Sequence, residues 1–222
     1  MGNTIVFVFG CLMLCASASA QVQPRQLKGG GHLLGETAEQ FYSEGYVGDV
    51  ARACQAGDWK SVSHLSKDVD HSSKNNPKDI CAKQAELKQQ ATSGTRLEYK
   101  GTGDREMMRA DTFTFDGGHL VKIEMLYGAP IANFEGYHPK SFDELLAGLR
   151  EAYGAPTKTY TESLLNTYGV RYDAHRAMWM ANKDVIIIIE QPGANGWTQI
   201  VAMTLAEYNR ADRAPKTPNP LQ

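Results

Sequence analysis

The chain has 222 residues, a formal net charge of −2 and no excess of either sign. Nucleic-acid binding normally rests on a basic stripe, and none is present. Beyond the N-terminal segment no apolar run approaches membrane-spanning length; "VIIIIE" at 185–190 holds five consecutive apolar residues, which suits a buried strand.

In chain order, the first 24 residues carry no charged side chain, and Ile5 to Ala16, "IVFVFGCLMLCA", is an apolar run of twelve. Twelve residues are too few to span a bilayer as a helix. Ala18 and Ala20 occupy the small-residue positions that a signal peptidase needs. Residues 1–20 therefore read as a secretory signal. No Lys or Arg precedes the run, which leaves an uncleaved anchor as the alternative. Residues 21–32, "QVQPRQLKGGGH", read as a flexible leader, and 211–222, with the proline-rich "RAPKTPNPLQ", as a disordered tail. The ordered domain is expected over 33–210. The expected location is exported, periplasmic or secreted.

The first third reads helical. Thr37-Ala38-Glu39-Gln40 is a capping box, and Gly45 stops a short helix. Asp49 is expected to cap a second helix, "VARACQA", that ends at Gly57. Asn76-Pro77 opens a third, with Asn as N-cap, Pro at the first position and Asp79 in the first turn. Cys11 and Cys15 fall in the signal, so Cys54 and Cys81 remain. An even pair in an exported chain is most simply a disulfide, here joining the second helix to the third.

Strands follow. Leu97–Tyr99, Phe113–Phe115 and Val121–Tyr127 alternate apolar with polar residues, and "FDGGHL" turns the chain between the last two. A two-residue turn at Gly117-Gly118 would set Phe113 against Lys122. A three-residue loop, Asp116-Gly117-Gly118, sets Phe113 against Val121 and keeps one face apolar, so burial selects the second register. Gly118 then takes the left-handed conformation. Ser141-Phe142-Asp143-Glu144 is a second capping box. Phe142, Leu145, Leu146, Leu149 and Tyr153 share one face of its helix, and Gly154 and Pro156 end it. Strands are expected at 157–165, 174–181, 184–190 and 197–204. The isoleucine run is apolar on both faces, which places it inside the sheet with a cover on each side.

The fold class is α+β: a helical N-terminal third with a disulfide, then an antiparallel sheet with one well-defined packing helix. The same order divides into two helix-plus-strands modules, 33–130 and 137–210. "YGAP" at 127–130 follows a strand and at 153–156 ends a helix, so it does not mark a repeat.

The segments "FDELLAGLREAYGAPTKTY", "AMWMANKDVIIII", "WTQIVAMT" and "TFTFDGGHLVKI" together resemble a pattern of small bacterial envelope proteins. In these a helix with a Gly-x-Pro stop leads into a strand, a tryptophan-bearing strand and an apolar strand. The modules are those of the BamE-like outer-membrane assembly lipoproteins and of the β-lactamase inhibitory protein type. The resemblance implies protein–protein interaction and no catalysis.

Few residues suggest chemistry. His64, Asp68 and His71 have i, i+4, i+7 spacing, and on one helix face they would form an acceptable zinc set. The turn formers after Asp68 instead point to a solvated loop, so no metal and no cofactor are expected. No Gly-x-Ser-x-Gly elbow is present, and "GTGDRE" at 101–106 is a turn without the third glycine of a phosphate cradle. Glu98, Asp111 and Glu124 alternate with core positions and are expected to pair with Arg96, Arg109 and Lys122 on a solvent face. Tyr160, Tyr168, Arg171, Tyr172, Arg176, Trp179 and Trp197 concentrate the residue types enriched at interface hot spots. The resulting expectation is an exported, non-catalytic module that binds another protein. The alternative is an extracytoplasmic binder of a small ligand or metal, using the 64–71 loop or a pocket beside the sheet. A hydrolase with acidic catalysis stands third.

Overall fold

The computed structural model describes residues 27–66, 76–101, 109–128, 140–165, 169–181, 183–191 and 197–213. The expected signal at 1–20, residues 21–26 of the leader and 214–222 of the tail lie outside them.

The described residues begin inside the expected leader, and its last part is structured. Strands β1 (Lys28–Gly29) and β2 (His32–Leu33) form a small hairpin. Gly29 serves close packing: a Cβ on it would sit 2.4 Å from Ile123 Cγ2. His32 anchors the hairpin with 1% of its surface exposed. Composition alone misassigned this stretch, because glycine favours both flexible linkers and backbone pressed against a sheet.

Four helices follow. The Thr37 capping box starts α1 (Ala38–Phe41). Helix α2 (Gly45–Ala56) begins before Asp49, which lies inside it paired with Arg52 and does not cap it. Gly57 ends α2 in a left-handed conformation. Helix α3 (Trp59–Ser66) occupies the start of the expected loop. Asp58 supports its first turn, its carboxylate accepting from the Ser61 backbone at 3.1 Å and from the Ser61 hydroxyl at 2.6 Å. Val62 is fully buried and holds α3 to the domain. Asn76 caps α4 (Pro77–Thr92), with Pro77 in its first turn. The Cys54–Cys81 disulfide staples α2 to α4 across a Cα–Cα distance of 5.6 Å.

Strands β3 (Leu97–Lys100), β4 (Arg109–Asp116) and β5 (His119–Tyr127) form a meander, and helix α5 (Phe142–Tyr153) starts at the Ser141 capping box. A second meander follows: β6 (Lys158–Leu165), β7 (Arg171–Ala181), β8 (Asp184–Gln191) and β9 (Trp197–Thr204). The last strands of the two meanders pair, which makes one seven-stranded antiparallel sheet in the order β3-β4-β5-β9-β8-β7-β6. Helix α6 (Leu205–Arg213) closes the described chain, so the expected tail is helical through Arg213.

The β4–β5 register corrects the expectation. Asp116 pairs with His119, so the turn has two residues, Gly117 at φ 59° and Gly118 at φ 82°. Two successive positive φ values match the right-handed twist of a hairpin. Phe113 does not meet Val121. It meets Ile123, because a bulge at Val121 shifts the parity between Thr114 and Phe115. The bulge, not the loop length, keeps Phe113, Phe115, Leu120 and Ile123 on one apolar face.

That face carries the main core. Phe41, fully buried, touches the rings of His32, Tyr42, Tyr99, Phe113 and Phe115 at centroid distances of 4.0 to 5.6 Å. Leu145 and Leu149 of α5 cover the second meander on the same side. The isoleucine run behaves as expected, since β8 lies between β9 and β7 with α5 on one face and α6 on the other. Among the described residues, no helix is long and apolar enough to cross a membrane.

Candidate functional site

Strand registers order the sheet face opposite the main core into rows. One runs Tyr160, Arg176, Ile189, Gln199, Leu126. The next runs Lys158, Met178, Ile187, Val201, Glu124. A third joins Met180, Val185, Met203 and Lys122. The centre is therefore mainly apolar, with Tyr160, Arg176 and Lys158 toward one flank and Glu124 and Lys122 on the other, and Met180 and Leu126 as apolar row ends. Met178, Val185, Val201 and Met203 form a smaller cluster against which Leu205 and Tyr208 of α6 pack. Ile187, Ile189 and Leu126 remain half-buried, and Met180 is 44% exposed.

The structure brings four of the expected interface residues to this face. Tyr160, Tyr172, Arg176 and Trp197 occupy same-face positions of β6, β7 and β9 and are each half-buried. Arg176 is ion-paired to Glu162 on β6. Trp179 does not join them. It faces the main core with 3% of its surface exposed, and its indole N–H donates to the Gly154 carbonyl at 2.9 Å. Residues 176 and 179 differ in parity, so the pleat sends them to opposite faces. Arg171 is exposed at the start of β7, on the face that Trp179 shares. Tyr168 lies outside the described residues.

At one end of this face, Glu207 of α6 is buried to 5% exposure and accepts from two arginines. Arg96 reaches its carboxylate at 2.8 and 3.2 Å, and Arg210 at 2.7 and 2.9 Å. Asp116 holds Arg96 from the other side at 3.3 Å. The hydrogen bonds from Arg210 and Arg96 outweigh burial and hold the Glu207 carboxyl down at about 2. Arg96 and Glu207 are 111 positions apart, so sequence pairing rules could not join them. Lys122 and Glu124 do pair as expected, at 2.9 Å.

Among the buried polar residues, Asp111 was expected elsewhere and His32 was not singled out by the sequence. Asp111 shares the core face with Phe113 and is 1% exposed, so the expected solvent-face placement does not hold. His32 bonds through Nδ1 to Glu36 at 3.0 Å, while its Nε2 is buried with no partner among the described residues. A His–carboxylate pair is a general-base arrangement, but here the imidazole is enclosed by the Phe41 and Phe113 rings, and its Nε2 is shut off from solvent. Nearby, Gln84 donates to the Tyr99 hydroxyl at 2.9 Å. Burial pushes the Tyr99 and Tyr42 hydroxyls up, Tyr42 further because Tyr99 is beside it. Burial therefore favours the neutral form of both phenols.

Of the metal set considered, His64 lies exposed on α3, whereas Asp68 and His71 lie outside the described residues. Among the described residues no group of three or more His, Cys, Asp or Glu side chains could hold a metal. Comparison of the chain with protein-family models, curated proteins and solved structures finds no match.

Proposed function

We propose that this chain is an exported, non-catalytic module that binds another protein through the sheet face bearing Tyr160, Tyr172, Arg176 and Trp197. One observation carries the reading: the two faces of the sheet are covered unequally. The hairpin β1–β2 and helices α1, α4 and α5 supply the apolar cover of one face, while among the described residues α6 alone packs on the cluster of the other. The less covered face has an apolar centre flanked by half-exposed tyrosine, tryptophan and arginine. That is the anatomy of an interface, and those side chains dominate interface energies. The disulfide supports an oxidising compartment. The apolar N-terminal segment with Ala18 and Ala20, and the likeness to envelope modules, support the same location.

The test places a photo-crosslinking phenylalanine analogue at Tyr172 in the native envelope or culture fluid. A discrete adduct is expected there, weakened by Arg176→Glu, and none with the same analogue at Glu151, exposed on α5. Equal adducts at both positions, or none at Tyr172, would refute the proposed face. Recovery of the chain from the exported fraction with Gln21 as its first residue supports export, and a cytosolic chain retaining Met1 argues against it.

A further inference from the structure

Strand β6 is an edge of the sheet. It pairs with β7 on one side, and among the described residues no strand pairs with it on the other. It is eight residues long, twice the length of β3 at the opposite edge. It contains neither proline nor glycine, and Lys158 to Ser163 are exposed apart from the half-buried Tyr160. Sheet edges of this length usually carry a device that blocks pairing, such as a bulge, an inward charge or a covering loop. The β6–β7 register runs unbroken from Lys158 to Leu165, so no bulge is present. What β6 does carry is one lysine and one glutamate on the same face, equidistant from Tyr160.

That spacing decides which strand the edge accepts. In an antiparallel pair of two identical strands, same-face residues oppose each other only if the paired numbers sum to an even value. Placing Tyr160 on the twofold axis sets Lys158 of one copy against Glu162 of the other, twice. It also sets Thr159 against Thr161, twice, and Tyr160 against Tyr160. Opposite charges, paired threonines and paired aromatics are all favourable cross-strand neighbours. The next even register, with Thr161 on the axis, keeps a Thr161–Thr161 pair but sets Lys158 against Leu164 and Tyr160 against Glu162, so it loses both opposite-charge pairs and the paired aromatics. Both charges already have a contact in their own copy. Lys158 lies over the Tyr160 ring at 4.9 Å, and Glu162 is ion-paired with Arg176. Under the twofold, Glu162 lies between two cations and both lysines converge on the central tyrosine pair.

We infer that two copies of this chain associate by antiparallel β6–β6 pairing about a twofold axis at Tyr160, making one sheet continuous through the dimer. The hydrogen bonds come from the backbone edge, while Lys158, Tyr160 and Glu162 lie on the open face of the protein-binding reading; the charge-swap restoration below tests the pairing apart from the photo-crosslink at Tyr172. The experiment is sedimentation velocity of the oxidised mature protein, with three charge variants. Wild type is expected to be a dimer. Lys158→Glu places glutamates opposite one another at both ends and should weaken the dimer by about tenfold or more. Glu162→Lys should do the same. Combining the two substitutions restores opposite charges and should restore the dimer, which a merely misfolded variant could not do. Far-ultraviolet circular dichroism of each variant accompanies the measurement. Separately, Tyr160→Cys should crosslink to itself on mild oxidation, while Thr159→Cys, whose counterpart is Thr161, should not. A wild type that stays monomeric up to its solubility limit overturns the inference. So does a dimer indifferent to Lys158→Glu, or crosslinking at Thr159→Cys in place of Tyr160→Cys. Binding of an unrelated protein at this edge, with no self-association, counts against it equally.

Discussion

Replacing Glu207 with glutamine tests how the last helix is held. Its carboxylate is 5% exposed and accepts four hydrogen bonds at 2.7 to 3.2 Å, two each from Arg96 and Arg210. Its pKa lies at about 2 against an ordinary 4.5. A folded-state value below the unfolded one stabilises the fold above the unfolded pKa, and the stability disappears as pH falls through the folded value. By linkage the ionised carboxylate contributes about 3 kcal/mol at pH 7, roughly 1.4 at pH 3 and about 0.4 at pH 2. Both arginines remain partly exposed and can rehydrate when the carboxylate is lost, at 37% exposure for Arg96 and 51% for Arg210. The measured cost of Glu207→Gln at pH 7 should therefore be somewhat smaller, about 2 kcal/mol. Urea unfolding of wild type and variant at pH 7, 4, 3 and 2, with the disulfide intact, gives the curve. The gap between the two proteins should close between pH 5 and pH 2. A gap that stays constant down to pH 2 would mean that Glu207 acts by packing alone, and the ion-pair argument would fail. A gap below about 0.5 kcal/mol at pH 7 would make Arg96–Glu207 an ordinary surface pair.

Replacing Cys54 and Cys81 with serine should lower stability by about 3–4 kcal/mol, as the chain-entropy model gives for a separation of 27 residues; thermal unfolding with and without reductant measures it, and wild type alone should respond to reductant. Gly117→Val and Gly118→Val should each cost about 1–2 kcal/mol in denaturant titrations, because both φ values are positive, whereas Gly117→Asn should cost distinctly less. Trp179→Phe should cost about 1–3 kcal/mol in the same titration, since it leaves the Gly154 carbonyl without its donor; a loss of partner binding at unchanged stability would return Trp179 to the interface.

What the sequence determined by itself is local. The Thr37 and Ser141 capping boxes and the Asn76-Pro77 start appear where the spacing put them, because each is closed by hydrogen bonds across two or three residues. The Cys54–Cys81 pairing was legible because only two cysteines remain past the apolar segment. The isoleucine run announced an inner strand because both its faces are apolar. Composition also gathered Tyr160, Tyr172, Arg176 and Trp197, but the β6–β7 register was needed to join Tyr160 to Arg176, and the cluster had to be split: Trp179 shares its composition, and its parity sends it to the other face. Everything else was decided by partners distant in the chain. Pairing of β5 with β9 fuses two helix-plus-meander halves into one sheet, and no residue of either strand names the other. The Val121 bulge exists because Leu120 and Ile123, three positions apart on β5, must both reach the core opposite Phe115 and Phe113, a demand set by the layer above the sheet. The same layer buries Asp111 and His32, which pattern alone would place in solvent. Helix α6 docks through an arginine 111 residues upstream. A cap or stop is worth its energy wherever it occurs in the chain, whereas a pairing or a buried charge has an energy only once its distant partner is in place.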